Sequence, residues 1–121
     1  MQIAQKNFYK KFLGRVGEQK AVDFLKKKGY KILETNYKTH VGEIDLIAMD
    51  GEYTVFVEVK TRSSEDYGLP SQAVDAKKQE KYYKVATEYL MRKEKMDTPA
   101  RFDVVEITDG KINHIFNAFG V

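Results

Sequence analysis

Asp50-Gly51 stands between two runs of strand-forming residues, 43–48 and 53–61, and it fixes what the middle of this chain can become. An Asp-Gly pair accepts the positive φ of a tight hairpin, so the two runs read as neighbouring antiparallel strands. Alternation along the second run sends Val55, Val57 and Val59 to one face and Phe56, Glu58 and Lys60 to the other. On the first run Glu43, Asp45 and Ile47 share a face. With Asp50 and Gly51 as the two turn residues, Asp45 lies opposite Phe56 and Glu43 opposite Glu58. Asp45 is then the diagonal neighbour of Glu58, on the face that carries Lys60. A four-residue loop keeps this parity, and a three-residue loop breaks it. Two or three carboxylates and an ammonium are thus expected together beside a core strand.

The flanking segments supply the layers. Phe8, Phe12, Val16, Val22 and Leu25 approximate a helical stripe. That helix should end at Gly29, with Tyr30 packing back on Leu25. Gly14 and Gly17 weaken it locally, so it is expected to begin near Arg15. Ile32-Leu33 centres a first strand, and residues 62–70 form a polar loop. A second helix follows, capped by Ser71 or Asp75, with the unbroken stripe Tyr82, Val85, Ala86, Tyr89, Leu90. Residues 101–108 and 111–117 are two more strands around a second Asp-Gly turn. The order is α-β-β-β-α-β-β, and a helical crossover lets the third and fourth strands run parallel. The expectation is one α/β domain over residues 1–121, with a mixed sheet and helices on its faces.

Composition narrows the chemistry. Cysteine is absent, and His40 and His114 are the only imidazoles, so thiolate and multi-histidine sites are excluded. Metal chemistry would run on carboxylates, which favours hard ions such as Mg²⁺ or Mn²⁺. No apolar run has the length of a membrane span, and no signal-peptide pattern opens the chain. The acid-free stretch 1–17 reads as a basic arm of a cytoplasmic protein rather than a leader. Residues 1–31 carry nine Lys/Arg against two acids, whereas residues 32–70 carry three against eight. A basic flank beside an acidic centre suits a polyanion-binding surface around a carboxylate metal site. The expected phosphate contacts are Arg15, Lys26, Lys27, Lys28, Arg62, Lys77 and Lys78. Two carboxylates can hold Mg²⁺ and leave coordination positions for water and a phosphate oxygen, while Lys60 stabilises developing charge. A solvated sheet face would produce the same Val/charge alternation without any chemistry.

The line Gly42-Glu43-Ile44-Asp45-Leu46-Ile47-Ala48, then Val55-Phe56-Val57-Glu58-Val59-Lys60-Thr61-Arg62, resembles the PD-(D/E)xK nuclease signature. More closely it resembles the YraN family of small bacterial proteins of that superfamily. Gly14-Arg15-x-Gly17-Glu18, Gly29-Tyr30-Lys31-Ile32-Leu33, Gln72-Ala73-Val74 and Lys78-Gln79 support the likeness. It implies a restriction-endonuclease-like three-layer αβββαβ core, here with an extra C-terminal strand. By the same likeness Asp45 and Glu58 are metal ligands and Lys60 the catalytic lysine. Glu18 matches an acidic residue that archaeal Holliday-junction resolvases add to the site from the first helix. Gln79 and Tyr83 resemble the Gln-x-x-x-Tyr element of RecB-type nucleases, and they join Glu43 as accessory candidates. One departure is Ile44, which stands where the signature has proline.

The function these features lead us to expect is a Mg²⁺- or Mn²⁺-dependent DNA endonuclease acting on branched or damaged DNA. Two alternatives remain on the sequence alone: a non-catalytic nucleic-acid-binding module on a nuclease fold, and an interaction subunit that needs a partner protein. A homodimer would double the basic surface and present two sites to one substrate.

Overall fold

In the computed structural model two helices sandwich a five-stranded sheet, α1 (Gln2–Lys27) on one face and α2 (Ala76–Arg92) on the other. The described residues are 2–62 and 75–119, with 2–12 taken as backbone alone. The strands are β1 (Lys31–Thr39), β2 (Gly42–Asp50), β3 (Tyr53–Arg62), β4 (Ala100–Thr108) and β5 (Lys111–Ile115), adjacent in chain order. All neighbours are antiparallel except β3 and β4, which α2 connects as a parallel pair. This is the α-β-β-β-α-β-β mixed sheet expected from the sequence, and it is consistent with a restriction-endonuclease-like core. Among the described residues no helix is long and apolar enough to cross a membrane.

Helix α1 departs from expectation at its start. It begins at Gln2, not near Arg15, because an isolated glycine costs a helix only about 1 kcal/mol. Its end follows the sequence reading: Gly29 takes φ +94°, the Tyr30 N–H donates to Leu25 O at 3.0 Å, and the Gly29 N–H donates to Lys26 O at 2.9 Å. Those two bonds, with Leu25 and Tyr30 in one cluster, make the αL stop that glycine permits.

The two glycines inside α1 have different consequences. Nothing lies within 4 Å of where a Gly14 side chain would project, whereas a Cβ on Gly17 would fall on the Thr61 hydroxyl of β3. Gly17 therefore lets α1 rest directly on β3 and seats the next residue, Glu18, against the sheet. We expect Gly17→Ala to lower stability by about 1–3 kcal/mol through overpacking. Gly14→Ala should raise it by about 0.5–1 kcal/mol through helix propensity. Urea unfolding of both variants checks the sign, and equal effects would contradict the close approach.

The hairpin between β2 and β3 turns one residue later than expected. Asp50 pairs with Tyr53, so Gly51 (φ +58°) and Glu52 form the loop. Asp50 stays in the ladder because its carboxylate is taken by Arg101, with Nη2 donating to Oδ2 at 3.0 Å. Face parity survives this shift. Leu46 pairs with Val57 and Ile47 with Phe56. Continued by one residue, this register sets Asp45 directly opposite Glu58 rather than diagonal to it.

Alternation in β2 breaks at Asp45. Ile44 packs in the α2-side cluster, yet Leu46, two residues on, packs in the α1-side cluster. Asp45 sits at the changeover, opposite Asn36 of β1, whose φ of +51° twists the neighbouring strand. Helix α2 is capped by Asp75, whose Oδ1 accepts from the Lys78 N–H at 2.9 Å. The Ser71 alternative, the 62–70 loop beyond Arg62, and Gln72-Ala73-Val74 lie outside the described residues.

Candidate metal and phosphate site

β2 and β3 stop pairing beyond Leu46 and Val57, and the gap is where the carboxylates meet. Asp45 bridges the gap by accepting the Val59 N–H on Oδ2 at 2.8 Å. It borders two concavities at once. One is a cleft of about 870 Å³ on the α2 side, lined by Glu43, Glu58, Asp75, Lys77, Lys78, Lys81 and Tyr82. The other is a groove on the α1 side that includes Gly17, Glu18, Thr61 and Arg62.

Glu58 is 5% exposed, a depth that a carboxylate reaches only when partnered. Lys78 of α2 donates to its Oε1, while among the described residues Oε2 has no hydrogen-bond partner. Glu18 Oε1 is likewise buried and has no partner among the described residues. Burial pushes the Asp45 carboxyl up to about 6, the Val59 amide opposes that, and the nearby Glu18 and Glu58 reinforce it. The Tyr82 hydroxyl is driven well above the ordinary tyrosine value by burial and by the same two acids of the cleft, Glu58 and Asp45. Hard oxygen donors left short of partners and a carboxyl strained by its neighbours' charge are the donor chemistry that a divalent cation satisfies. Among the described residues no three carboxyl or imidazole groups already enclose an ion-sized space. Asp45 and Glu58 share the cleft, and Asp45 and Glu18 share the groove on the other side.

The other candidate residues divide. Lys60 is half-buried beside Glu106 in the parallel ladder and is not among the residues lining the cleft. Glu43 is exposed on the cleft rim, 3.9 Å from Lys38. Gln79 and Tyr83 share a face of α2 that is not the cleft face. Tyr83 packs on Phe102 with ring centroids 5.2 Å apart, so it serves the core. The basic candidates split as well. Lys77 and Lys78 line the cleft. Arg62 is tied to Glu106 at 3.5 Å, and Arg15 is exposed. Lys26 and Lys27 end α1 about 12–14 Å along the helix from Glu18, with Lys28 just beyond, at the far end of the sheet.

Sequence reasoning missed two participants, and it named Lys78 for phosphate without foreseeing that its ammonium pairs with Glu58. Lys81 and Tyr82 reach the cleft from the same helix. Their i, i+3, i+4 spacing from Lys78 was legible, but only the packing of α2 on β2 says which helix face turns to the acids.

The model of the uncharacterised protein family UPF0102 matches residues 17–107. A UPF0102 protein of Caldanaerobacter subterraneus subsp. tengcongensis is 50% identical over 121 aligned residues, spanning 94% of this chain and 99% of its own. One from Thermodesulfovibrio yellowstonii is 50% identical over 107 residues, spanning 88% and 95%. A third, from Alkaliphilus metalliredigens, is 48% identical over 112 residues, spanning 90% and 98%.

Proposed function

The chain belongs to the UPF0102 family, and from that premise and the cleft we propose that it is a divalent-metal-dependent endonuclease that hydrolyses phosphodiester bonds of DNA. The observation that carries this reading is the half-buried Asp45 and the buried Glu58 lining one cleft where β2 and β3 stop pairing, with an oxygen of Glu58 that has no hydrogen-bond partner among the described residues. Asp45 and Glu58 would hold Mg²⁺ or Mn²⁺, with Glu18 contributing from α1; the bound ion supplies an acidified water and offsets charge on the phosphate. Lys77 and Lys81 at the rim offer ammonium groups to the flanking phosphates. Lys78 pairs with Glu58 at the wall of the cleft, which offsets the cost of placing a carboxylate so deep. Lys60, two residues after Glu58 on β3 and outside the cleft lining, takes the charge-steadying role from the resemblance to PD-(D/E)xK nucleases alone.

Incubating the protein with linear, flapped, single-stranded and four-way DNA in Mg²⁺ or Mn²⁺ tests the reading. We expect strand cleavage that chelator abolishes. Intact DNA in every arm would overturn it. The pairing of Lys78 with Glu58 also favours a second reading, a binding module whose acids are neutralised internally. Tight binding with no cut strand is its signature in the same panel.

Metal affinity should depend on pH in a defined window. Asp45 must lose its proton to ligate, and its carboxyl is raised to about 6. Mn²⁺ affinity is therefore expected to climb between about pH 5 and 7 and level off above. A flat profile across that range in calorimetry would remove Asp45 from the ligand set.

A further inference from the structure

At the end of the sheet away from the cleft, the two exposed Phe/Tyr rings among the described residues converge on one guanidinium. Tyr53, at the start of β3, is 45% exposed, and Phe116, just after β5, is 54% exposed. Their ring centroids lie 5.4 Å and 5.3 Å from the Arg101 guanidinium carbon. Exposed aromatics are expensive in water, and these two are held rigidly. Arg101 Nε donates to Asp103 at 3.0 Å, and its Nη2 donates to Tyr30 Oη at 2.8 Å and to Asp50 at 3.0 Å. Phe116 stacks on His114 with centroids 4.1 Å apart, and His114 is fixed through Nε2 to the buried Asp103 at 2.8 Å. Lys28 Nζ lies 4.8 Å from the Phe116 centroid, and the exposed Lys26, Lys27 and Lys31 stand at the same end.

We propose that this end is a stacking shelf for the unpaired bases of a single-stranded nucleic-acid tail, whose phosphates are held by Lys26, Lys27, Lys28 and Lys31. His114 stacks on Phe116, Lys28 and Arg101 lie over the same ring, and the exposed part of the ring is what a base would meet; Tyr53, across Arg101, offers a second platform. Aromatic stacking inside a sleeve of lysines is the chemistry of sequence-tolerant single-strand binding. Bases within a duplex present no free π-face, so the shelf selects strands that are already open. Five residues of β3 separate Tyr53 from Glu58, about 17 Å at the usual rise. A tailed or flapped substrate can therefore occupy shelf and cleft together. The proposal rests on the nucleic-acid reading above and names its substrate class.

Fluorescence anisotropy in chelator, where no cleavage occurs, separates the two. The probes are a labelled oligothymidylate and an abasic strand of equal length. We expect the wild type to prefer the thymidylate strand, and Phe116→Ala and Tyr53→Ala each to weaken it about tenfold. Phe116→Trp should restore binding, and the abasic strand should not sense Phe116. Both positions are exposed, and unchanged thermal melts will verify that the variants fold. Equal affinity for the two strands, or wild-type affinity in Phe116→Ala, would overturn the shelf. So would a wild-type dimer that Phe116→Ala converts to monomer without loss of oligonucleotide binding, since the patch would then serve a second copy. Asp45→Asn should keep tail binding intact. Phe116-dependent binding by a protein that cuts nothing upholds the shelf and ends the nuclease reading; cleavage indifferent to Phe116 and to tails does the reverse.

Discussion

Glu58→Gln and Asp45→Asn should each lower metal-dependent cleavage by about 10²–10³-fold or more, and neither should unfold the protein. Glutamine keeps the length of Glu58 and an oxygen for the Lys78 ammonium, but it is a far poorer ligand for a hard cation. Asparagine likewise keeps an acceptor for the Val59 amide. Its effect on stability has the opposite sign to its effect on activity. The Asp45 carboxyl is raised from 3.8 to about 6, so the fold favours its neutral form. That contribution is complete below the unfolded value and is lost as pH rises through 6. At pH 7 the ionised group costs the metal-free protein up to about 3 kcal/mol, and Asp45→Asn should recover much of it. Thermal melts in chelator at pH 4, 5, 6 and 7 check this. A variant less stable than wild type at pH 7 would mean that Asp45 holds the fold together instead of awaiting a ligand.

Asp103→Ala is expected to be the most damaging single change to the fold, at about 3–5 kcal/mol or roughly 10–20 °C in melting temperature. Asp103 is fully buried and accepts from Arg101 Nε, from the Asn117 N–H at 2.9 Å and from His114. With Nε2–H given to Asp103, His114 Nδ1 accepts from Lys28 Nζ at 2.9 Å, which ties the end of α1 to β5. Truncation would strand the guanidinium of Arg101 among Tyr30, Phe116 and Asp50 with half its bonds. Burial alone would raise the Asp103 carboxyl, but the bonds from His114, Arg101 and Asn117 outweigh it and hold the group below its ordinary value. Its stabilisation is therefore present above about pH 4 and is lost as pH falls through the folded value. Asp103→Asn should retain part of the packing and remove that acid dependence. A loss below about 1 kcal/mol for Asp103→Ala would contradict the network.

Local rules made much of this legible. The αL stop at Gly29, the stripe of α2 and the parallel β3–β4 pair rest on short-range patterns or on one topological rule, and they stand as read. Asp45 and Glu58 line one cleft because the even loop keeps alternation regular from Leu46 to Val57, whereas Lys60, which parity also put there, does not line it. What failed depends on contacts far apart in sequence. Arg101 pulls Asp50 into the ladder and moves the turn by one residue. Nothing near Lys78 says that its ammonium meets an acid twenty residues away. His114 counted only against a zinc site until β5 carried it to Asp103. Tyr83 fitted a motif, yet α2 rotates it onto Phe102, because the apolar stripe sets the helix's roll on the sheet.

Titration calorimetry with Mn²⁺ at pH 7 tests the central claim most directly, because it asks the carboxylates for a ligand without asking for catalysis. We expect a measurable binding isotherm for the wild type, a loss of at least about tenfold in Glu58→Gln and in Asp45→Asn, and near wild-type affinity in Lys60→Ala, since an ammonium cannot ligate. Equal affinity in wild type and Glu58→Gln, or no heat of binding in the wild type, would contradict it.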